Sequence, residues 1–553
     1  MVQTFDQITY TRPDFNDKCA RFEEALSQFI NARSAPSQSS ALSAAYAIRA
    51  DIESADMLNR IRLAQSSSDK ELSEERRSLD QLLRGFQSLV NRLHVAISNS
   101  PYRHELGETW GSRIFDVAEL TARFANNVVA DDLVKESELI LCYETLLGHA
   151  SCTLGGERHT LAGLRKKLQD KDRKTRLSSH AARIEMFTSL YPEIKRIYSE
   201  LVALRNSMAR RLGYSSFTPM AYDRMLRTGY GPKEIREFRE NISLEFSPLV
   251  NTLEEQRATR LGVDSLIPAD EGIVFREGNP RPRVTGQNLV SAVADIFQAF
   301  APETSQFFRT MVDAGMLDVE ARHGKAQGGF CEALHDRGLP FLFANFNGTS
   351  HDVDVLVHEG GHAFQYFLSR GLPAIDLRWP SMEAAETSAM TMELLMLDQM
   401  QNIFGPDADR YAYSKLYTNV LMMPYRCSID AFQEAVYSLD NPDFDKLWRD
   451  TDQHFRPYRP TKGDPIREQG AEWIMQRHLF GAPFYFIDYN IADICAIRIW
   501  DMYQSRPIST WSNFVAFCKL GGTLEFSALE QKLKLPSVFS RSSISKALSL
   551  IHI

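Results

Sequence analysis

The stretch Asn347-Gly348-Thr349-Ser350-His351-Asp352-Val353-Asp354-Val355-Leu356-Val357-His358-Glu359-Gly360-Gly361-His362 reads as the opening of a helix that carries a pair of metal ligands. Thr349 or Ser350 is placed to be its N-cap, with Asp352 and Asp354 beside its electropositive end. A helix turns about 100° per residue. His358 and His362 are four apart, so they share one face with Cβ atoms roughly 6 Å from each other. Two imidazoles so placed can grip one tetrahedral ion. Glu359 is one step round, too far to chelate with them but within reach of a water on that ion, which is the mechanical content of HExxH. The competing reading is two histidines on a helix surface. Gly360 and Gly361 each cost about 1 kcal/mol in a helix interior relative to Ala. Together they ask for a reason, such as close packing by a helix bearing a third ligand or tight passage of substrate.

A zinc site that does chemistry needs a third protein ligand and one open position. Position 368, where a third histidine of the extended motif would fall, is Leu368. The next acidic group is Glu383, Glu386 and Glu393, in a segment that starts as a helix at Pro380-Ser381. Their i, i+3, i+10 spacing puts them on one face. Spacing alone leaves Glu383 and Glu386 both open as ligand. Those not used would orient the histidines or stand in solvent.

Just before the motif, Gly328 to Leu334 reads as a strand, His335 to Gly338 as a turn and Pro340 to Phe346 as a second strand. The edge that begins Gly328-Gly329-Phe330 could hold a peptide by main-chain hydrogen bonds. His335 and His351 flank the pair and fit surface or turn roles better than contact with substrate. Downstream, His478, Tyr485 and Tyr489 are spaced by seven and eleven, which gathers them on one face if the segment is helical. Pro483 interrupts that helix, and ordinary core packing also accounts for an aromatic run. The loop His454-Phe455-Arg456-Pro457-Tyr458-Arg459-Pro460 fits a structural corner better than a peptide-binding loop.

The chain has 553 residues, 44% of them hydrophobic, which is too much for one core and points to two or more lobes. With 24% charged residues, a net charge of −8 and no long basic run, it reads as a soluble protein without a nucleic-acid partner. Met1 to Phe15 does not resemble a secretory leader. No run of 18 apolar residues indicates a membrane span. Seven scattered cysteines without a CxxC pair suggest reduced thiols and a cytoplasmic setting. Residues 14–34, 41–64 and 70–98 carry helical periodicity, as does Leu289 to Ala301. The chain is expected to divide at 195/196 into an all-helical N-terminal lobe, 1–195, and a catalytic lobe, 196–553. The turn-rich stretch 263–286 reads as a surface excursion.

Three stretches together resemble the thimet-oligopeptidase family of zinc peptidases, within it the oligoendopeptidase F and Pz-peptidase branch. They are Gly329 to Glu359, the run Glu386-Thr387-Ser388-Ala389-Met390-Thr391-Met392-Glu393, and His478 to Tyr489. Two departures are visible: Ser388 stands one place early, and Gly360 replaces a commoner larger residue. The resemblance implies a mainly α, two-lobed, zincin-type (neurolysin-like) metallopeptidase with a deep central channel and a small β-sheet beside the motif helix. It implies one Zn2+ per chain on His358, His362 and Glu386, with Glu359 as the base. His478, Tyr485 and Tyr489 become candidate donors to the attacked carbonyl, and Gly328, Gly329 and Phe330 candidate substrate contacts. The implied activity is zinc-dependent hydrolysis of internal bonds in short peptides, with a leaning to Pro- and Gly-rich ones. A helical HExxH metallocarboxypeptidase and a non-catalytic peptide-binding homologue are the alternatives. The intact Glu359 argues against the latter, because holding zinc does not require it.

Overall fold

The computed structural model describes residues 3–124 and 127–551. The chain forms two units, each built from three separate stretches. The first comprises Met1–Ala125, Arg281–Gly405 and Cys495–Leu535, and the second Asn126–Pro280, Pro406–Ile494 and Pro536–Ile553. The boundary expected at 195/196 lies inside the helix Arg173–Arg211. Helical periodicity is local, whereas this interleaving depends on packing between distant segments.

In the first unit, helices Phe15–Asn31, Ala35–Gln65 and Lys70–Ser98 start on Asp14, Ser34 and Asp69, whose side chains accept backbone N–H bonds of the first turn. The middle one begins six residues before the expected 41, because Ser34 caps it and Pro36 is accommodated in its first turn. Apolar faces meet between them, with Phe22 edge-on to Phe86 at 5.1 Å.

These helices are tied to the motif region through Asp376. Its carboxylate accepts two bonds from Arg49, each 2.8 Å, and one from Tyr46 Oη at 2.5 Å. His94 Nε2 stands 3.4 Å away. Burial alone would raise the Asp376 pKa, but Arg49 and then His94 outweigh it and hold the carboxyl well below the usual range. A folded pKa below the unfolded value means the pair stabilises above about pH 4, and the gain is lost as pH falls further. Asp376→Asn is therefore expected to cost roughly 3–5 kcal/mol at pH 7, since it strands Arg49, and to weaken the acid dependence below pH 4. Urea denaturation at pH 7 and at about pH 2, well under the unfolded carboxyl's pKa, checks both; equal losses at the two pH values would contradict the pairing.

The sheet has three strands rather than the expected two. Leu339–Phe346 is central, with Leu317–Glu320 parallel on one side and Phe330–Leu334 antiparallel on the other. Residues 335–338 form the predicted turn. The first of these strands was not anticipated because it is four residues long and follows a helix with little pattern of its own. Phe330 lies opposite Phe343 and their rings stack at 4.7 Å. The strand expected from 328 begins at Phe330 because Gly328 has φ +105, outside the extended region.

From the sheet the chain enters the motif helix Ser350–Ser369 and then the carboxylate helix Met382–Leu395. The helix Pro507–Leu520 covers the motif helix from far along the chain. Phe364 stacks on Trp511 at 5.7 Å, and Gln365 Nε2 donates to the Cys518 carbonyl at 3.3 Å.

The second unit is built on Ala130–His149, Arg173–Arg211, Pro232–Leu261, Ala408–Tyr437 and Phe444–Phe455. Its hairpin, Ser151–Leu154 with Glu157–Thr160, corrects the expectation of an all-helical stretch before 195. Gly155 and Gly156, at φ +62 and +84, make the two-residue turn. The expected surface excursion at 263–286 is partly interior. Asp270 is fully buried and paired with Arg173 and Arg176, and a Cβ on Gly272 would lie 2.5 Å from the Leu168 carbonyl oxygen. The corner at 454–460 is a charge-paired junction, Arg456 and Arg459 both meeting carboxylates of Asp452 and Glu472. All seven cysteines are free thiols. No helix of the described residues is long and apolar enough to cross a membrane.

Candidate active site

Thr349 holds the N-cap position of the motif helix, though its side chain makes no capping bond. Asp352 closes the end instead, accepting from Asn347 N at 2.9 Å and Gly348 N at 2.7 Å. The helix then packs against the carboxylate helix with almost no space between them. A Cβ on Gly361 would lie 2.6 Å from Ala389 Cα and 3.2 Å from Met392 Cβ, so only glycine permits this approach. Gly360 is different, since its Cβ would meet only Phe297 Cζ at 3.4 Å, an ordinary contact.

That approach brings His358, His362 and Glu386 together, with one ligand atom of each inside 4.8 Å of the others. His358 Nε2 is 3.3 Å from Glu386 Oε2, and His362 Nε2 is 3.7 Å from Glu386 Oε1. Two ligand atoms about 2.1 Å from a tetrahedral ion stand about 3.4 Å apart. Two neutral imidazole nitrogens and a carboxylate are also the donor chemistry that zinc favours. The cluster thus fits such an ion. Glu386 is 2% exposed, while His358 and His362 keep 19% and 15% of their side chains open, which leaves the ligand face accessible. His358 Nδ1–H donates to Glu393 Oε1 at 2.6 Å, fixing the ring so that Nε2 points at the cluster. Glu383 is buried on the same helix but is not among the clustered ligands.

Charge states follow from this crowding. Burial opposes a charged His358, yet Glu386 and Glu393 prevail and hold its pKa well above the usual value. Burial pushes His362 down to about 4, against the pull of Glu386. Burial likewise pushes Glu359 up to about 7, with His358 pulling down and Glu386 pushing further up. A dication among the ligands would favour the charged carboxylate and lower that value.

Two residues not singled out in the sequence brace the sheet and the loop that leads into its edge strand. Asn345 Nδ2 donates to the carbonyls of Ala326 and Gly328, each at 2.8 Å. Lys325 Nζ, fully buried, donates to the carbonyls of Asp318, Glu320 and Ala344. Gly328 and Gly329 lead into Phe330, the first residue of an edge strand paired on one side only. A Cβ on Gly329 would lie 3.3 Å from Phe343 O and 3.5 Å from Val355 Cγ1 of the motif helix. A lysine in a loop gives no warning in sequence that it is interior.

His478, Tyr485 and Tyr489 lie in the second unit and meet one another. Ring centroids are 5.7 Å apart for His478–Tyr485, 5.2 Å for Tyr485–Tyr489 and 6.1 Å for His478–Tyr489. The segment is not one helix. It breaks between His478–Gly481 and Asp488–Ser505, with Phe484 at φ +65.

Residues 167–528 match Peptidase family M3, and residues 5–124 match the Peptidase M3 N-terminal domain. The chain belongs to peptidase family M3. By family it is a peptidase, and its mostly helical fold with small sheets is the M3 fold. A solved structure assigned as oligoendopeptidase F is 34% identical with a TM-score of 0.93, covering 99% of this chain and 97% of that one. Pz peptidase A, solved with an inhibitor, is 31% identical with a TM-score of 0.93, covering 99% and 98%. An oligoendopeptidase F assignment from Bacillus anthracis str. Ames is 31% identical with a TM-score of 0.89, covering 99% and 97%. The plasmid oligoendopeptidase F of Lactococcus lactis subsp. cremoris is 21% identical over 246 residues, 44% of this chain. The matched stretches span 20% and 40% of the lengths of the chromosomal and plasmid Lactococcus relatives. The M3 match takes in the motif helix, the carboxylate helix and the His478–Tyr489 segment.

Proposed function

We propose that this M3 chain is a zinc-dependent oligoendopeptidase that hydrolyses internal bonds of short peptides. The observation that carries the reading is the gathering of His358, His362 and Glu386, with Glu359 of the same motif beside them. His358, His362 and Glu386 would hold the ion. Bound zinc supplies Lewis acidity there, acidifying water and polarising a peptide carbonyl. A Glu359 carboxylate oxygen takes the proton of the attacking water and returns it to the departing amine nitrogen. His478, Tyr485 and Tyr489 supply N–H and O–H donors to the carbonyl oxygen as it gains charge. The one-sided strand from Phe330, entered through Gly328 and Gly329, takes the substrate backbone by main-chain hydrogen bonds. Short peptides are the partners in this reading, with neither nucleic acid nor membrane required. The free thiols support a cytoplasmic setting.

The test uses internally quenched peptides blocked at both ends. They should be cut by protein carrying about one zinc per chain, and cutting should stop with a chelator and return with zinc. Blocked peptides left intact while unblocked ones lose C-terminal residues would instead mark a metallocarboxypeptidase. Zinc-loaded protein that binds peptides and cuts none would mark a non-catalytic homologue.

A further inference from the structure

His478, Tyr485 and Tyr489 stand together although the chain between them passes through a left-handed conformation at Phe484. Phe484 is buried, carries a Cβ and has φ +65. Such a residue persists only where its surroundings over-determine it. Both of its backbone polar groups are held by buried side chains from other helices and turns. Phe484 N donates to Gln433 Oε1 at 2.8 Å, and its carbonyl accepts from Arg227 Nη2 at 2.8 Å. The same Arg227 nitrogen also bonds Asp488 Oδ1, at the first position of the following helix. Arg227 and Asp488 have fully buried side chains, and Gln433 is fully buried too.

Arg227 is itself placed by a second strained residue. The helix Phe217–Arg224 ends with Leu226 at φ +56. Leu226 N donates to Asp223 O and Arg227 N to Tyr222 O, each at 3.0 Å, the helix ending normally made by glycine. The guanidinium then lies over the Tyr222 ring at 4.6 Å and the Tyr230 ring at 5.5 Å. Leu226, Phe484 and Lys534 are the non-glycine residues of positive φ among those described, and one arginine joins the first two. Upstream of the break, Arg205 donates to the carbonyls of Leu479 and Phe480, so the His478 end is anchored as well.

We propose that Arg227, with Gln433, is a positioning residue for peptide hydrolysis: by pinning Phe484 and Asp488 it sets where His478, Tyr485 and Tyr489 stand. This rests on the reading that those three rings act on substrate. A misplacement of about 1 Å at such groups can cost a hundredfold in rate. Arg227→Lys keeps a counter-charge for Asp488 but lacks the planar fork, and Gln433→Leu removes the acceptor of Phe484 N. Each should lower kcat about 10- to 100-fold, with KM changed less than about threefold and zinc content unchanged. Arg227→Lys should also add less than about twofold to whichever of Tyr485→Phe and Tyr489→Phe is the slower, because it acts through that ring. If His478→Ala, Tyr485→Phe and Tyr489→Phe all keep full kcat, the reading of the rings fails. If they lose kcat while Arg227→Lys and Gln433→Leu stay within about twofold of wild type, or if the losses multiply in the double variants, the positioning role is overturned. Should Arg227→Lys not fold, Gln433→Leu decides alone.

Discussion

Glu359→Gln protein is expected to cleave peptides about a thousandfold more slowly than wild type, in the range a general base contributes, while still carrying its zinc. Gln has the same shape and cannot accept the proton. The ligand atoms on His358, His362 and Glu386 are untouched by the change. Steady-state kinetics with a blocked quenched peptide, set beside elemental analysis of the same preparation, measures both halves. Turnover above a tenth of wild type in zinc-loaded protein would remove Glu359 from the role of base. Loss of zinc along with activity would mean that the carboxylate helps to hold the ion.

The second large effect concerns two adjacent glycines that sequence treats alike. Gly361→Ala should destabilise the protein by roughly 1–3 kcal/mol through overpacking and weaken zinc binding at least about tenfold, the scale seen when support of a ligand shell is lost. Its new methyl would collide with Ala389 Cα at 2.6 Å, which is backbone and cannot swing aside. The two helices must then separate, and Glu386 moves with one of them. Gly360→Ala should instead be neutral or stabilising by up to about 1 kcal/mol, from helix propensity, since Phe297 Cζ is 3.4 Å from the added carbon. Urea denaturation and competition with a chelator compare the pair. Indistinguishable variants would refute the claim that helix proximity builds the site.

The same contact explains what was and was not legible in the sequence. HExxH, the helix from Ser381 and the hairpin around 335–338 could be read because each is written within a few residues. Which of Glu386 and Glu383 stands beside the histidines could not, because that is set by the level at which two helices touch. Glu386 and Glu393 lie three before and four after Ala389, beside the histidines, whereas Glu383 is a further turn away. Family likeness supplied Glu386 where spacing left both open. Pro483 correctly signalled a broken helix, but nothing local announces that Phe484 adopts φ +65, since its partners Arg227 and Gln433 come from remote parts of the chain. The missed hairpin at 151–160 did carry a signal, its Gly155-Gly156 pair, in a stretch too short and polar to display alternation.

The helix Pro507–Leu520, which covers the motif helix, is made some 140 residues after it. At roughly 5–20 residues per second, a growing chain therefore carries Phe364 and its neighbours without that cover for roughly 7 to 28 seconds. During that interval the face of the motif helix that meets Trp511 and the Cys518 carbonyl lacks its partner, and its apolar surface is open to mispairing until residues 507–520 have been made.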